Sequence, residues 1–125
     1  MTSVFTVQIG VAGRIGLIED RRYLDVTVKS GDGVFAPTWE MVMGSKEGRM
    51  SQKEYTDCYY VMMRDSYRWN RARWNEVLGM DEVILACYCR GGWFCHRHLL
   101  KDMLVRCGAA YAGEIKDSRD MIGHH

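Results

Sequence analysis

The segment Val83-Ile84-Leu85-Ala86-Cys87-Tyr88-Cys89 decides the fold of this chain of 125 residues. Its first five side chains are all apolar, and unbroken apolarity is typical of a strand in the middle of a parallel sheet, where both faces are covered. Residues 99–107 carry apolar side chains at the spacing of a helix that faces a core. Gly91 and Gly92 lie between the two segments, so we predict a strand, a loop and a helix in succession.

The rest of the chain supplies further strand and helix patterns. Ser51 followed by Glu54 is the capping-box signal for the start of a helix. The predicted strands span residues 4–11, 23–29, 83–89 and 110–115, the predicted helices span residues 38–43, 52–66, 70–78 and 99–107, and a flexible loop is expected around Gly10, Gly13 and Gly16. This order predicts a single α/β domain over residues 1–125, a compact three-layer sandwich with a largely parallel sheet.

Composition and charge narrow the classes of function. Lys and Arg total 17 against 16 Asp and Glu, a net charge of +1, so overall electrostatics give no reason to expect tight nonspecific binding of nucleic acid. No apolar run approaches the length of a membrane span, and residues 1–10 lack the basic start of a secretory leader. The five cysteines are therefore expected as free or metal-bound thiols in a reducing cytoplasm, with no membrane partner.

The loop between the decisive strand and its helix concentrates charged and reactive side chains. The first hypothesis for it is an anion pocket, in which Arg90 and Arg97 bind a phosphate or a carboxylate with paired hydrogen bonds. Gly91 and Gly92 would let the backbone approach the ligand closely. A helix that begins near Cys95 would add free N–H groups and the positive end of its dipole.

The second hypothesis is nucleophilic catalysis by Cys95. A thiol at a helix N-terminus beside His96 and Arg97 is expected to have a lowered pKa, which favours the thiolate. His96 would then be its proton partner. The spacing does not fit a tyrosine-phosphatase loop, in which an arginine stands six positions after the cysteine, because those positions hold Cys95 and Lys101 here.

The third hypothesis is a structural zinc site, since the segment holds enough ligands for one tetrahedral ion. The candidate ligands are Cys87, Cys89, Cys95, His96 and His98. Their C-x-C-x5-C-H spacing is not that of a common zinc knuckle, so the sequence alone assigns no metal and leaves any cofactor unknown. The plainest alternative makes the cysteines, Cys87 and Cys107 above all, small core residues and the histidines surface groups.

Two other groups of residues are open to more than one interpretation. Asp25, Thr27 and Lys29 alternate on one face of the second predicted strand, and Ser30 follows them. They would line a ligand site, with Asp25 as a base or as the partner of a ligand hydroxyl, or they would form the solvent side of an edge strand. Residues 64–74 mix four arginines with aromatic rings, which suits a platform for nucleotide bases, a core helix pair or the surface of a homodimer.

Several of these segments resemble one protein family. Residues 85–89 and 95–100 are similar to the signature of the domain-of-unknown-function 488 family, in which an apolar strand ending near a cysteine leads through a short loop to Cys-His-Arg at a helix start. Residues 24–31 resemble the family's strand with an acidic residue and a serine-containing turn. Residues 35–39 and 111–115 look like the short variants carried by bacteriophages and bacteria.

The resemblance implies a small three-layer α/β domain. It implies that Cys95, His96 and Arg97 form the site and that Asp25 and Ser30 lie nearby. It implies no reaction, because none is assigned to the family.

The leading expectation is a cytoplasmic α/β protein that binds or acts on a phosphate-bearing ligand, either a nucleotide or nucleic acid. Arg97 and Arg90 would bind the anion, with Lys29 near it, and Cys95 and His96 would be catalytic if a reaction takes place. The alternatives are a non-catalytic nucleotide- or protein-binding module of phage origin and a structural zinc domain.

Overall fold

The computed structural model describes residues 1–89 and 94–117, and these residues form a four-stranded sheet in which all neighbouring strands are parallel. The strands are β1 (Ser3–Gln8), β2 (Tyr23–Asp25), β3 (Glu82–Cys87) and β4 (Ala110–Ile115). Their order across the sheet is β2-β3-β1-β4, so β3 and β1 occupy the centre. The predicted α/β class with a parallel sheet is confirmed.

Helices cover both faces of this sheet. They are α1 (Ile9–Arg14), α2 (Trp39–Lys46), α3 (Gln52–Trp69), α4 (Arg71–Leu78) and α5 (His96–Arg106). α1 packs on one face, whereas α5 packs on the other face and against α3, which gives the three layers expected from the sequence. Within the described residues, no helix combines the length and the apolarity that a membrane crossing requires.

The central strand β3 is buried on both faces, as its apolar sequence predicts. Val83, Leu85 and Cys87 belong to the larger core cluster, together with side chains of α3 and α5. Ile84 and Ala86 face the opposite way and pack with side chains of α1. Because both faces are covered, packing fixes the carboxyl end of β3, where Cys87 lies.

The prediction of a strand over residues 4–11, followed by a glycine-rich loop, is wrong in part. β1 ends at Gln8, and α1 follows at once with two glycines inside it. Val11 and Ala12 are buried against the sheet, and this burial outweighs the low helix propensity of glycine, which costs about 1 kcal/mol per residue. Gly16, with a φ of 78°, lies two residues beyond the helix, in the left-handed region that favours glycine.

The second strand is shorter than predicted, because it ends at Asp25. The Asp25 carboxylate accepts hydrogen bonds from the backbone N–H of Thr27 at 2.9 Å and from its hydroxyl at 2.6 Å, and these contacts turn the chain out of the sheet. Gly31 then passes close to the strand end, where a Cβ would lie 2.5 Å from the nitrogen and the oxygen of Thr27. Lys29 and Ser30 are therefore exposed in a turn and not on a strand.

Local signals place the starts of α3 and α5 well. Ser51 and Glu54 form the predicted capping box, with both of its hydrogen bonds present. α5 begins at His96 with Cys95 as its N-cap residue, slightly before the predicted apolar stretch. Cys107, expected in the core, is exposed, because it lies at the C-cap, where the helix ends.

Candidate functional site

A cleft of about 400 Å³ lies at the carboxyl ends of β2 and β3, the edge where ligands gather in open parallel sheets. It is lined by the turn after β2, by α2, by one side chain of α3, by the end of β3 and by the start of α5. Lys29, Cys95 and His96, all singled out from the sequence, line this one cleft. The fold therefore joins the turn after β2 to the Cys-His segment.

Three of the lining residues, Cys87, Cys89 and Cys95, form a thiol cluster. Their sulfur atoms all lie within 4.8 Å of one another, with 3.0 Å between Cys87 and Cys95 and 4.0 Å between Cys87 and Cys89. All three are free cysteines. Because Cys87 ends β3 and Cys95 caps α5, the strand–loop–helix arrangement itself brings the sulfur atoms together.

The thiols of the cluster differ in the direction of their pKa shifts. Hydrogen bonds run from Cys95 to Cys87 and from Cys87 to Cys89, so Cys89 is the final acceptor. Hydrogen bonding from Cys87, and then from Cys95, lowers the pKa of Cys89, and the nearby Arg97 guanidinium adds to this effect. Hydrogen bonding with Cys87, together with burial, raises the pKa of Cys95. The expected low pKa of Cys95 is therefore wrong, and the lowered pKa belongs to Cys89, the least buried of the three.

His96 is buried, with 4% of its surface exposed, and one long-range hydrogen bond fixes its ring. Its Nε2 lies 2.6 Å from the backbone oxygen of Val26, and because a carbonyl only accepts, Nε2 carries the proton. Burial lowers the pKa of His96, which keeps the ring neutral and leaves a lone pair on Nδ1. Nδ1 lies 3.7 Å from the sulfur of Cys87 and 3.9 Å from that of Cys95, where it can accept a proton or bind a metal ion.

Arg97 is fully buried and contacts other protein groups. Its Nη2 and Nε donate to the two carboxylate oxygens of Glu114 at 3.1 and 3.4 Å, and its Nη1 donates to the backbone oxygen of Cys89 at 2.8 Å. Arg97 does not line the cleft. Anion binding by Arg97 stays a prediction, whereas its contacts give it a positioning role, since they hold the chain at Cys89 against α5 and β4.

The other predicted ligand-binding residues differ in where they lie. Asp25 and Ser30 stabilise the turn after β2, because the Ser30 hydroxyl donates to the Asp25 carboxylate at 2.5 Å, and neither residue lines the cleft. Lys29, in the same turn, does line it. Direct ligand contacts by Asp25 and Ser30 stay predictions. Three further predicted residues lie outside the described part of the chain: Arg90, Gly91 and Gly92.

Helix α2 contributes to the cleft, although nothing in the sequence interpretation assigned it to a site. Four residues line the cleft from this helix: Trp39, Val42, Ser45 and Lys46. Thr38 caps α2 by accepting a hydrogen bond from the backbone N–H of Met41 at 3.1 Å. The four lining residues are spaced i, i+3, i+6 and i+7, which places them on one side of a helix. That spacing can be found in the sequence, but only the fold shows that this side meets the cleft.

The segment rich in arginine and aromatic residues is mainly a packed helix pair. Trp74 is buried and packs edge-on against Phe35, with ring centroids 5.0 Å apart. The Arg71 guanidinium lies over the Tyr67 ring, 3.7 Å from its centroid. Trp69 is 78% exposed, and none of these residues lines the cleft. A base-stacking platform and a homodimer surface in this segment stay predictions.

The chain matches no family model, no curated protein and no solved structure. The resemblance of its Cys95-His96-Arg97 segment to the domain-of-unknown-function 488 family therefore stays a prediction, as does a cytoplasmic location. What the site can do follows from its own geometry, in which two lysines, an exposed indole, a thiol cluster and an imidazole lone pair meet in one cleft.

Proposed function

We propose that the protein binds a small phosphate-bearing ligand, a mononucleotide, in the cleft at the carboxyl ends of β2 and β3. The observation that carries this proposal is the meeting of Lys29, Lys46 and Trp39 in that cleft. Two ammonium groups are suited to a phosphate, and an exposed indole is suited to the face of a base. The two kinds of group therefore match the two ends of a nucleotide.

The charge of the cleft supports binding of an anion. Among the described residues, no carboxylate lines the cleft, and the ammonium groups of Lys29 and Lys46 have no ion-pair partner. By contrast, Lys53 and Lys101, outside the cleft, pair with Asp57 and Asp102 at 2.7 and 2.8 Å. The positive charge of Lys29 and Lys46 is thus available to a phosphate.

The size and the aromatic lining of the cleft suit a base and a sugar. Trp39 and Tyr88 are 54% and 52% exposed, and both line the cleft together with Phe94. Stacking a base on one of these rings would cover apolar surface that now faces water. A volume of about 400 Å³ is near the lower end of the usual range for small-molecule sites, so a mononucleotide is a better match than a nucleic-acid duplex.

Binding has more support than catalysis by Cys95. Only 3% of the surface of Cys95 is exposed, and its pKa is raised through hydrogen bonding with Cys87, so its thiolate is disfavoured. Cys89 and His96 also line the cleft, but among the described residues no hydrogen bond joins these two as a donor and acceptor pair. The proposal is therefore a nucleotide-binding protein, and no reaction is included in it.

Titration calorimetry of the full chain with AMP, adenosine and inorganic phosphate tests this proposal. AMP is expected to bind more tightly than either fragment, because the cleft holds its charge and its ring together. The double variant Lys29→Met with Lys46→Met is expected to bind AMP about tenfold or more weakly. Its affinity for adenosine, which carries no phosphate, is expected to change little. Trp39→Ala is expected to weaken both by about 1–3 kcal/mol, the usual value of one base–aromatic stack.

Two matched variants control for general effects of these changes. Lys53→Met removes an exposed lysine of α3, and Trp69→Ala removes an exposed indole; neither residue lines the cleft. Both variants are expected to bind AMP as the parent protein does. Equal AMP affinity for the parent and for the folded double-lysine variant would contradict the proposal. So would the lack of any heat of binding at millimolar AMP, GMP, CMP and UMP.

A further inference from the structure

The thiol cluster has the dimensions of a metal site. Thiolates bound to a tetrahedral zinc ion at about 2.3 Å lie about 3.8 Å from one another. The separations of Cys87 from Cys89 and from Cys95, 4.0 and 3.0 Å, lie on either side of that value. The 3.0 Å separation is that of the hydrogen bond from Cys95 to Cys87, and it is shorter than the separation of two zinc-bound thiolates. An ion bonded to both sulfurs would hold them at the longer distance.

The imidazole of His96 is the fourth candidate ligand and lies beside two of the three sulfurs; the ligand atoms that all lie within 4.8 Å of one another are the three sulfurs alone. Its Nδ1 lies 3.7 Å from the sulfur of Cys87 and 3.9 Å from that of Cys95, close to the edge of a tetrahedron built on zinc. Histidines that bind metals donate their other N–H to a carbonyl or a carboxylate, which fixes the ring. His96 has this second contact, because its Nε2 donates to the backbone oxygen of Val26 at 2.6 Å.

The surroundings of the cluster favour thiolates and give an ion a way in. Arg97, fully buried, donates to the backbone oxygen of Cys89 at 2.8 Å and so places a permanent positive charge beside the sulfurs. Cys87 and Cys95 are 4% and 3% exposed, which protects bound metal from competing ligands. Cys89 is less buried and lines the cleft, through which an ion reaches the cluster from solvent.

We propose that the sulfur atoms of Cys87, Cys89 and Cys95 and the Nδ1 of His96 bind one zinc ion. The site goes beyond nucleotide binding and does not depend on it. Thiolate ligands favour zinc over magnesium and calcium, and three cysteines with one histidine are a common set for structural zinc. Each thiol still protonated gives up its proton to solvent as its bond to zinc forms. The bound ion links the end of β3 to the start of α5.

The zinc content of the full chain tests this proposal. The protein is purified in reductant without a metal-affinity resin, with His124→Ala and His125→Ala to remove the terminal histidine pair, and its metals are measured by plasma mass spectrometry. We expect about one zinc ion per chain. After chelation, added Co²⁺ is expected to give the strong visible absorption and the sulfur-to-cobalt charge transfer of a tetrahedral thiolate site.

Variants of the cysteines identify the ligands. Cys89→Ser changes the least buried ligand and is expected to reduce the zinc content to below about 0.2 per chain, because one thiolate bond is lost. Cys58→Ser and Cys107→Ser are the matched controls, since both residues are exposed and lie outside the cluster. Both controls are expected to keep the full zinc content and the cobalt spectrum.

Thiol labelling of the parent protein gives a second measurement that needs no variant. Cys87, Cys89 and Cys95 are expected to be protected until a chelator is added, while the exposed Cys58 and Cys107 react from the start. Labelling that is unchanged by the chelator would overturn the proposal. A disulfide between Cys87 and Cys95 in protein kept in reductant would also overturn it. An iron–sulfur chromophore in place of zinc, or full zinc content in Cys89→Ser, would do the same. The zinc content and AMP binding are measured in separate experiments. Failure of one proposal therefore does not decide the other.

Discussion

The guanidinium of Arg97 pairs with the carboxylate of Glu114 through two nitrogens, at 3.1 and 3.4 Å, and this pair joins α5 to β4. The side chain of Arg97 is 0% exposed and that of Glu114 is 14% exposed. The sequence suggests Arg97 as a ligand for a bound anion, but in the folded chain Arg97 is already paired with the carboxylate of Glu114. The same side chain also holds the backbone oxygen of Cys89, so the pair stabilises the base of the thiol cluster.

Loss of the carboxylate from this pair should be costly. Glu114→Ala leaves the Arg97 guanidinium buried without its counterion, and we expect a loss of about 3 kcal/mol in the free energy of unfolding, measured in urea. Replacing both residues, as Arg97→Met with Glu114→Leu, is expected to cost less than Glu114→Ala alone, because no buried charge remains. Asp57→Ala, which breaks an exposed pair on α3, is the control and should leave stability close to the parent value. Equal stability of Glu114→Ala and the parent would show that the pair is not needed.

A methyl group at Gly31 is expected to disturb the turn that presents Lys29. A Cβ there would lie 2.5 Å from the nitrogen and the oxygen of Thr27, which are backbone atoms and cannot rotate away. We expect Gly31→Ala to lower the free energy of unfolding by about 3 kcal/mol, the upper end of the usual cost of overpacking. Gly33→Ala is the matched control, since no atom lies within 4 Å of a Cβ there, and it should change stability by less than about 0.5 kcal/mol. Similar losses in the two variants would contradict this interpretation.

The order in which the cluster thiols react should follow their hydrogen bonds. In chelator-treated protein, Cys89 is expected to be alkylated before Cys87 and Cys95, because its pKa is lowered by the hydrogen bonds that it accepts. Its rate should change little between about pH 8 and pH 6, since its thiolate persists as the pH falls. Peptide mapping by mass spectrometry measures the order, with the exposed Cys58 as an internal reference for the reagent. Faster alkylation of Cys95 than of Cys89 would contradict this prediction and would support Cys95 as the nucleophile.

Tyr59 is expected to make folding sensitive to alkali. Its hydroxyl is buried and donates to the backbone oxygen of Phe35 at 2.7 Å, and burial raises its pKa well above the usual value. Above about pH 10 the unfolded chain loses this proton while the folded chain keeps it, so stability falls as pH rises, by up to about 1.4 kcal/mol per pH unit for this group. Tyr59→Phe should remove that part of the slope, measured by urea unfolding at several pH values. Val77→Ala also changes the core but removes no titrating group, and it should keep the parent slope.

Signals that act within a few residues predicted much of the secondary structure. The capping box at Ser51 and Glu54 marks the start of α3, because each member of the box bonds to the backbone of the other. α4 ends at Leu78, the last residue of the predicted helix 70–78, and the predicted final strand has the bounds of β4. The main errors lie at residues 10–16 and after Asp25, where burial of α1 against the sheet and a side-chain hydrogen bond outweigh local propensity. The strand predicted over residues 83–89 also ends two residues early, at Cys87.

The candidate site was only partly visible in the sequence. The sequence indicates Cys95 and His96 because they stand together at the start of a predicted helix, and Lys29 because it shares one face of a predicted strand with Asp25 and Thr27. The contribution of Trp39 and Lys46 was missed, since the face that α2 turns toward the cleft is set by its packing in the folded chain. Local sequence patterns do not predict which segments, distant along the chain, line the same cleft.

By itself, the sequence determined that β3 is a buried central strand and that Cys87, Cys89, Cys95 and His96 follow one another across one loop. Apolar run length and helix periodicity fix this, because they depend on neighbours along the chain. Only the tertiary structure decided what these residues are able to do. Val26 orients the His96 ring from 70 positions away, and Glu114 takes up the Arg97 guanidinium. Burial and hydrogen-bond partners set proton affinity and ligand access, and both come from residues that are remote in sequence.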